Sequence, residues 1–203
     1  MHAFILDTNF FINLQRPLNL GSKKEQVMEN FIKLASPLIT QQLVRFYTTP
    51  GSLKELEGFF EPITPVKELQ KVIVVASPSI SDLKIRARLF QDLVGEINLR
   101  LYKGLRAAEE PLKSLLTQAE KKPVNPETIK AQIKDLRSKY RRATRDGFLD
   151  SVVDFDLILL AKEKESSLVT SDQGLLSWSR RFGAQEILPE ILVKKLQELS
   201  KTS

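Results

Sequence analysis

The sequence contains no cysteine and a single histidine, His2. Without cysteine, disulfides and thiolate-ligated zinc are excluded. One histidine cannot build a multi-histidine metal site, and its place beside the start argues against a histidine-based triad. Any chemistry must therefore run on carboxylates, hydroxyls, lysine or arginine. No apolar run approaches the ~20 residues that a membrane-spanning helix needs. The N-terminus reads as a strand rather than a signal peptide, so the expectation is a soluble, cytoplasmic protein. A chain of 203 residues can bury a real core and corresponds to one domain, or to one domain with a large insertion.

What is present is charge, unevenly spread. Residues 84–145 carry 16 Lys and Arg against 7 Asp and Glu, a net +9, which leaves −3 for the rest of a chain whose total is +6. An acidic-leaning body with a basic middle segment is the footprint of a polyanion binder. The plainer alternative is a Lys-rich, solvated helix surface.

The carboxylates show a pattern of their own. Ala3-Phe4-Ile5-Leu6 is a short apolar run that reads as a buried parallel strand, and it ends on Asp7. Ser167-Leu168-Val169-Thr170 is another such run, followed by Asp172. Between them lies Arg145-Asp146-Gly147-Phe148-Leu149-Asp150-Ser151-Val152-Val153-Asp154-Phe155-Asp156. Read as one helix, it places Asp146, Asp150 and Asp154 on one face, where like charges repel. Val152, Val153, Phe155 and the Leu157–Leu160 run draw the same segment toward a core, where an unpaired carboxylate is costly. A nearby cation would relieve both conflicts. A solvated acidic face with Asp146 as N-cap is the alternative.

Further strands are expected near 45–49, 71–76 and 184–187. Ser22 to Glu25 fits a capping box that opens a helix with Val27, Phe31 and Leu34 on its apolar stripe. A short helix over 52–60 carries Glu55 and Glu57. Ser81 is the expected N-cap of a helix reaching about Ala119, with a break or kink at Pro111. Asn125 as N-cap and Pro126 at N1 open the next helix, with Ile129, Ile133, Leu136 and Tyr140 on its buried side. These two helices would form an antiparallel hairpin with more apolar stripe than one sheet face can cover, so it should project and contact a partner or another copy of the chain. Arg137, Arg141, Arg142 and Arg145 follow along its second helix and are suited to hold a phosphodiester backbone. Trp178, Phe59 and Phe60 read as core aromatics rather than as stacking platforms.

Strands separated by helices imply a mostly parallel α/β sheet. Ligands bind beyond the carboxyl ends of such strands, which is where Asp7 and Asp172 stand. Asp150 and Asp154 would be brought there by the helix preceding the strand at 167–170. Three or four carboxylates without histidine suit Mg²⁺ or Mn²⁺, and metal-assisted phosphodiester hydrolysis follows as the chemistry.

Phe4-Ile5-Leu6-Asp7-Thr8-Asn9 resembles the opening motif of PIN-domain nucleases, and Asp154 with Leu157-Ile158 and Leu168-Val169-Thr170-Ser171-Asp172 resembles the closing one. The resemblance implies a PIN-like parallel-sheet α/β/α domain over 1–80 and 143–203, with an inserted, protruding helical hairpin over 81–142. It places Asp7, Asp154 and Asp172 on the family's metal-binding acids, with Glu57, or alternatively Glu55, as a further acid from an early helix. The basic hairpin before Arg-Arg-x-x-Arg-Asp-Gly-Phe-Leu-Asp-Ser-Val-Val-Asp-Phe-Asp is similar to the minimal protein-only ribonuclease P family, whose archaeal members were once called RNA ligase partner proteins. That likeness adds Asp150 to the site and, more weakly, Asp156, which on an ideal helix points away from Asp154. It implies removal of the 5′ leader from precursor tRNA, a 5′-phosphate on the product, and a homo-oligomer assembled through the hairpin. The alternatives are another PIN-type endoribonuclease or a non-catalytic RNA-binding adaptor of an RNA ligase.

Overall fold

A computed structural model describes residues 1–15, 18–120, 123–149 and 151–202. Its described residues divide into two units, 1–84 with 149–203, and 85–148.

The first unit is built on five parallel strands, β1 (His2–Leu6), β2 (Val44–Thr48), β3 (Val74–Val75), β4 (Ser167–Val169) and β5 (Gln185–Ile187), in the order β3-β2-β1-β4-β5. The expected parallel α/β sheet is therefore present. Helices α1 (Asn9–Ile12), α2 (Lys24–Thr40), α3 (Pro50–Glu57), α4 (Thr64–Leu69), α7 (Val152–Glu163), α8 (Gln173–Phe182) and α9 (Pro189–Thr202) flank it. Strand periodicity sorts the core onto the two faces. Phe4 and Leu6 join Phe31 of α2 and Leu192 of α9 in one cluster, whereas the equally buried Ile5 between them does not. Helix α7 covers β1 and β4 with its buried Leu157–Ala161 run. Trp178 and Phe60 are core residues, but Phe59 is 43 % exposed.

The strand order reverses at β1, which lies between β2 and β4. In parallel sheets the crevice outside the carboxyl ends at such a switch is the natural ligand site. Leu6 is paired with Val169, so Asp7 and Thr170 leave the sheet side by side.

In the second unit α5 (Ala87–Ala119) and α6 (Pro126–Arg145) pack antiparallel. Lys139 reaches Glu110 at 3.5 Å, and a Cβ at Gly104 would meet the Tyr140 ring at 2.9 Å. Asn125 caps α6, its Oδ1 accepting from Thr128 N–H at 2.8 Å, and Pro126 occupies the first turn.

Several expectations are corrected. The N-cap of α2 is Lys23, and Ser22 N–H donates to Gln26 Oε1 instead of the box closing through Glu25. Helix α5 starts at Ala87, not at Ser81, because Ser79 Oγ bonds Asp82 in a turn before it. It runs through Pro111 without interruption. The third strand shrinks to Val74–Val75, since this edge pairs only with Tyr47 and Thr48. Along α6 no residue is buried: Ile129, Ile133 and Tyr140 are 42–44 % exposed, because two helices alone cannot enclose a stripe. The acidic stretch is not one helix. Asp146 ends α6, Gly147 turns with φ +69°, and Ser151 caps α7. Asp146 therefore follows the end of α6 whereas Asp154 lies in α7, and Asp150 lies outside the described residues.

Candidate active site

The site is assembled at the carboxyl edge of the sheet from four elements of the first unit. Asp7 follows β1, and its backbone N–H donates across to Val169 O at 3.2 Å. The residue is 4 % exposed. Oδ2 accepts from Thr170 Oγ1 at 2.6 Å and from Asn9 Nδ2 at 3.2 Å. Burial nevertheless pushes the Asp7 pKa up to about 6, against the pull of these hydrogen bonds, and the charge of Asp172 adds a smaller upward push. A cation beside so deeply buried a carboxylate would offset that cost.

Asp172 caps α8, its Oδ1 accepting from Leu175 N–H at 2.7 Å. Its own N–H donates to Thr170 Oγ1 at 3.0 Å. The Thr170 hydroxyl thus accepts from one acid's backbone while it donates to the other's side chain. Thr49 caps α3, with Pro50 in its first turn and a hydrogen bond from Ser52 N–H. One turn further, Glu55 Oε2 accepts from Thr8 Oγ1 at 3.0 Å, while the same hydroxyl also lies 3.3 Å from Ser52 O. Ser151 Oγ accepts from Val153 N–H at 3.1 Å and starts α7, placing Asp154 in its first turn.

These residues enclose a cleft of about 260 Å³ lined by Asp7, Thr8, Asn9, Glu55, Ser151, Val153, Asp154 and Asp172. The structure thus brings Asp7, Asp154 and Asp172 to one place, together with Glu55. Glu57 and Asp156 do not line this cleft. Each stands two helical positions beyond a cleft acid, a rotation of about 200°. Burial raises the Asp156 pKa. Thr8, Asn9, Ser151 and Thr170 were not singled out from the sequence. The strand–Asp-Thr-Asn and Thr-Ser-Asp strings hold three of them, but hydroxyls beside strand ends are too common to mark by themselves. Arg137, Arg141, Arg142 and Arg145 lie along α6 of the other unit, and all four are exposed.

Among the described residues the charged lining groups are carboxylates, which suits Mg²⁺ or Mn²⁺ rather than a softer ion. Among the described residues no three acids already form a group tight enough to hold a metal. Their number, the burial of Asp7 and a lining without imidazole or thiolate nonetheless fit a hard divalent cation that keeps several of its waters.

A parallel sheet with an acidic cleft at its topological switch defines a nuclease-like α/β domain. A family model described as PINc domain ribonuclease matches residues 3–201. Proteins named RNA-free ribonuclease P are similar over nearly the whole chain. That of Pyrococcus furiosus is 35 % identical over 202 residues, covering 96 % of each chain. That of Ignicoccus hospitalis is 36 % identical, covering 98 % of this chain and 96 % of its own. That of Thermodesulfovibrio yellowstonii is 36 % identical, covering 92 % and 89 %. The chain belongs to the RNA-free ribonuclease P family of PIN-domain nucleases.

Proposed function

We propose that the chain is a metal-dependent endonuclease of the ribonuclease P type that removes the 5′ leader of precursor tRNA and leaves a 5′-phosphate on the mature end. The observation that carries the reading is the cleft in which Asp7, Glu55, Asp154 and Asp172, from four separate elements, converge beside the sheet's switch point. Asp7, Asp154 and Asp172, with Asp150 and with Glu55 taking the place first given to Glu57, would hold Mg²⁺ or Mn²⁺. When bound, such an ion lowers the pKa of its water and stabilises charge on the leaving oxygen.

The chain's own residues orient the carboxylates. Thr170 and Asn9 fix the rotation of Asp7 through Oδ2, and Thr8 fixes Glu55 through Oε2. Asp172 is held at the α8 N-terminus by the hydrogen bond from Leu175 N–H. Acids whose rotation is already set have less to rearrange as charge develops.

Arg137, Arg141, Arg142 and Arg145 supply cations along α6 for the RNA backbone. The hairpin joins copies of the chain into a homo-oligomer. This is supported by its uncovered apolar side chains, among them Phe90, Leu101, Leu105, Leu112 and Leu116 on α5. No helix among the described residues is long and apolar enough to cross a membrane, and the cytoplasm, where tRNA transcripts are met, is the proposed location.

The test is incubation with end-labelled precursor tRNA in Mg²⁺ and in EDTA. Leader-length and mature-length fragments in Mg²⁺ alone, with a 5′-phosphate on the mature one, are expected. Binding without cutting under both conditions would favour an adaptor instead.

A further inference from the structure

The first turn of α3 contains Pro50-Gly51-Ser52. Glycine inside a helix costs roughly 0.5–1 kcal/mol relative to alanine, so a glycine here calls for a reason of its own. Its φ is not in the left-handed region, and backbone freedom is therefore not that reason. A close approach is. A Cβ at position 51 would lie 2.8 Å from Cγ2, 3.3 Å from Cγ1 and 3.5 Å from Cβ of Val153 in the first turn of α7. Both Val153 methyls face the glycine, so a χ1 rotation can turn only one of them away and leaves the other in contact. Valine in a helix is moreover confined largely to one rotamer. An added methyl at 51 must therefore push the two helix starts apart.

The separation at that contact matters because each helix carries a cleft acid next to it. Glu55 lies one turn after Gly51, on the same face of α3. Asp154 directly follows Val153. Both acids line the cleft, as does Val153 itself. We propose that Gly51 is a positioning residue: by admitting Val153, it sets the separation of Glu55 and Asp154 and so the geometry of the divalent-cation site. The inference rests on the metal-dependent nuclease reading above. It assigns no chemistry to Gly51, which is not among the residues lining the cleft.

The experiment is a double-mutant cycle on the full-length protein. Mn²⁺ affinity is read by calorimetry without RNA, and precursor tRNA affinity in EDTA. Gly51→Ala should weaken Mn²⁺ binding by about 10-fold, the scale on which disturbed outer-shell contacts act, while RNA affinity in EDTA stays unchanged. Gly51→Ala combined with Val153→Ala, which clears the space for the new methyl, should recover most of the loss. Should Gly51→Ala fail to fold, Val153→Ile with Gly51 retained enlarges the wedge from the other side and should weaken Mn²⁺ binding in the same direction. Wild-type Mn²⁺ affinity in Gly51→Ala, absence of recovery in the double variant, or wild-type affinity in a folded Val153→Ile would each overturn the proposal. If the wild-type protein neither binds Mn²⁺ nor cuts RNA, the nuclease reading beneath it fails instead.

Discussion

Thr170 Oγ1 donates a 2.6 Å hydrogen bond to Asp7 Oδ2, although the two residues are 163 positions apart in sequence. The same hydroxyl accepts from Asp172 N–H. One fully buried side chain thus ties together the ends of β1 and β4 and the acid on each. Thr170→Val keeps the shape and removes the hydroxyl, so Asp7 loses its shortest partner and Asp172 N–H loses its acceptor. Cleavage should fall, and the Mg²⁺ needed for half-maximal rate should rise, by about 10–100-fold, as when other carboxylate-orienting partners are removed. Thr170→Ser should restore most of both. Equal losses in the Val and Ser variants would mean that packing, not the hydroxyl, is what matters.

Asp7 also governs how stability depends on pH. In the unfolded chain it releases its proton near the ordinary value of 3.8, whereas the folded, metal-free protein holds it up to about 6. Folding therefore takes up a proton between these values. Stability should fall as pH rises through that window and stay lower above it. Asp7→Asn removes the buried charge. Above pH 6 and in EDTA it should be more stable than wild type, by on the order of 3 kcal/mol, while cleaving nothing. Urea unfolding at pH 5 and pH 8 measures the difference, and Mg²⁺ should stabilise only the wild type. A variant less stable than wild type at pH 8 would mean that the burial cost of Asp7 is already offset.

Glu55 and Glu57 make a discriminating pair. Thr8 holds Glu55 on the cleft, and Glu57 does not line it. Glu55→Gln should raise the Mg²⁺ requirement for cleavage by roughly 10-fold. Glu57→Gln should leave it unchanged. Metal titrations of the cleavage rate decide between them, and the reverse ranking would return the role to Glu57.

The arginines of α6 should be visible through salt. Replacing Arg141 and Arg142 with glutamate should weaken precursor tRNA binding. It should also flatten the plot of log affinity against log salt by about 1 for each phosphate that is no longer neutralised. An unchanged slope in filter-binding titrations over a range of KCl would show that these side chains face away from the RNA.

Much of this architecture was written locally. Phe4-Ile5-Leu6 and Leu168-Val169 are apolar runs of strand length, and each is followed within a few residues by an aspartate. Parallel strands in a two-sided core need no more than that. Asn125-Pro126 likewise names its own helix start, because a cap is made by neighbours three residues apart. Where the sequence misled, distant or competing contacts had decided. Ser81 resembles an N-cap, yet Ser79 and Asp82 use the segment for a turn. Asp146, Asp150 and Asp154 have perfect helical spacing, yet Gly147 leaves the helix with a positive φ and Ser151 starts a new one.

The sequence by itself narrowed the candidate groups: with no cysteine and one histidine, carboxylates stood out, and strand-end aspartates marked the edge where they would gather. The tertiary structure decided which carboxylates share the cleft and what holds them. Residue order can place an acid on a helix, but the way that helix meets its neighbours fixes whether the acid faces in. That meeting is made by packing between residues far apart in the chain, such as the close approach of Val153 to Gly51, which no local pattern announces.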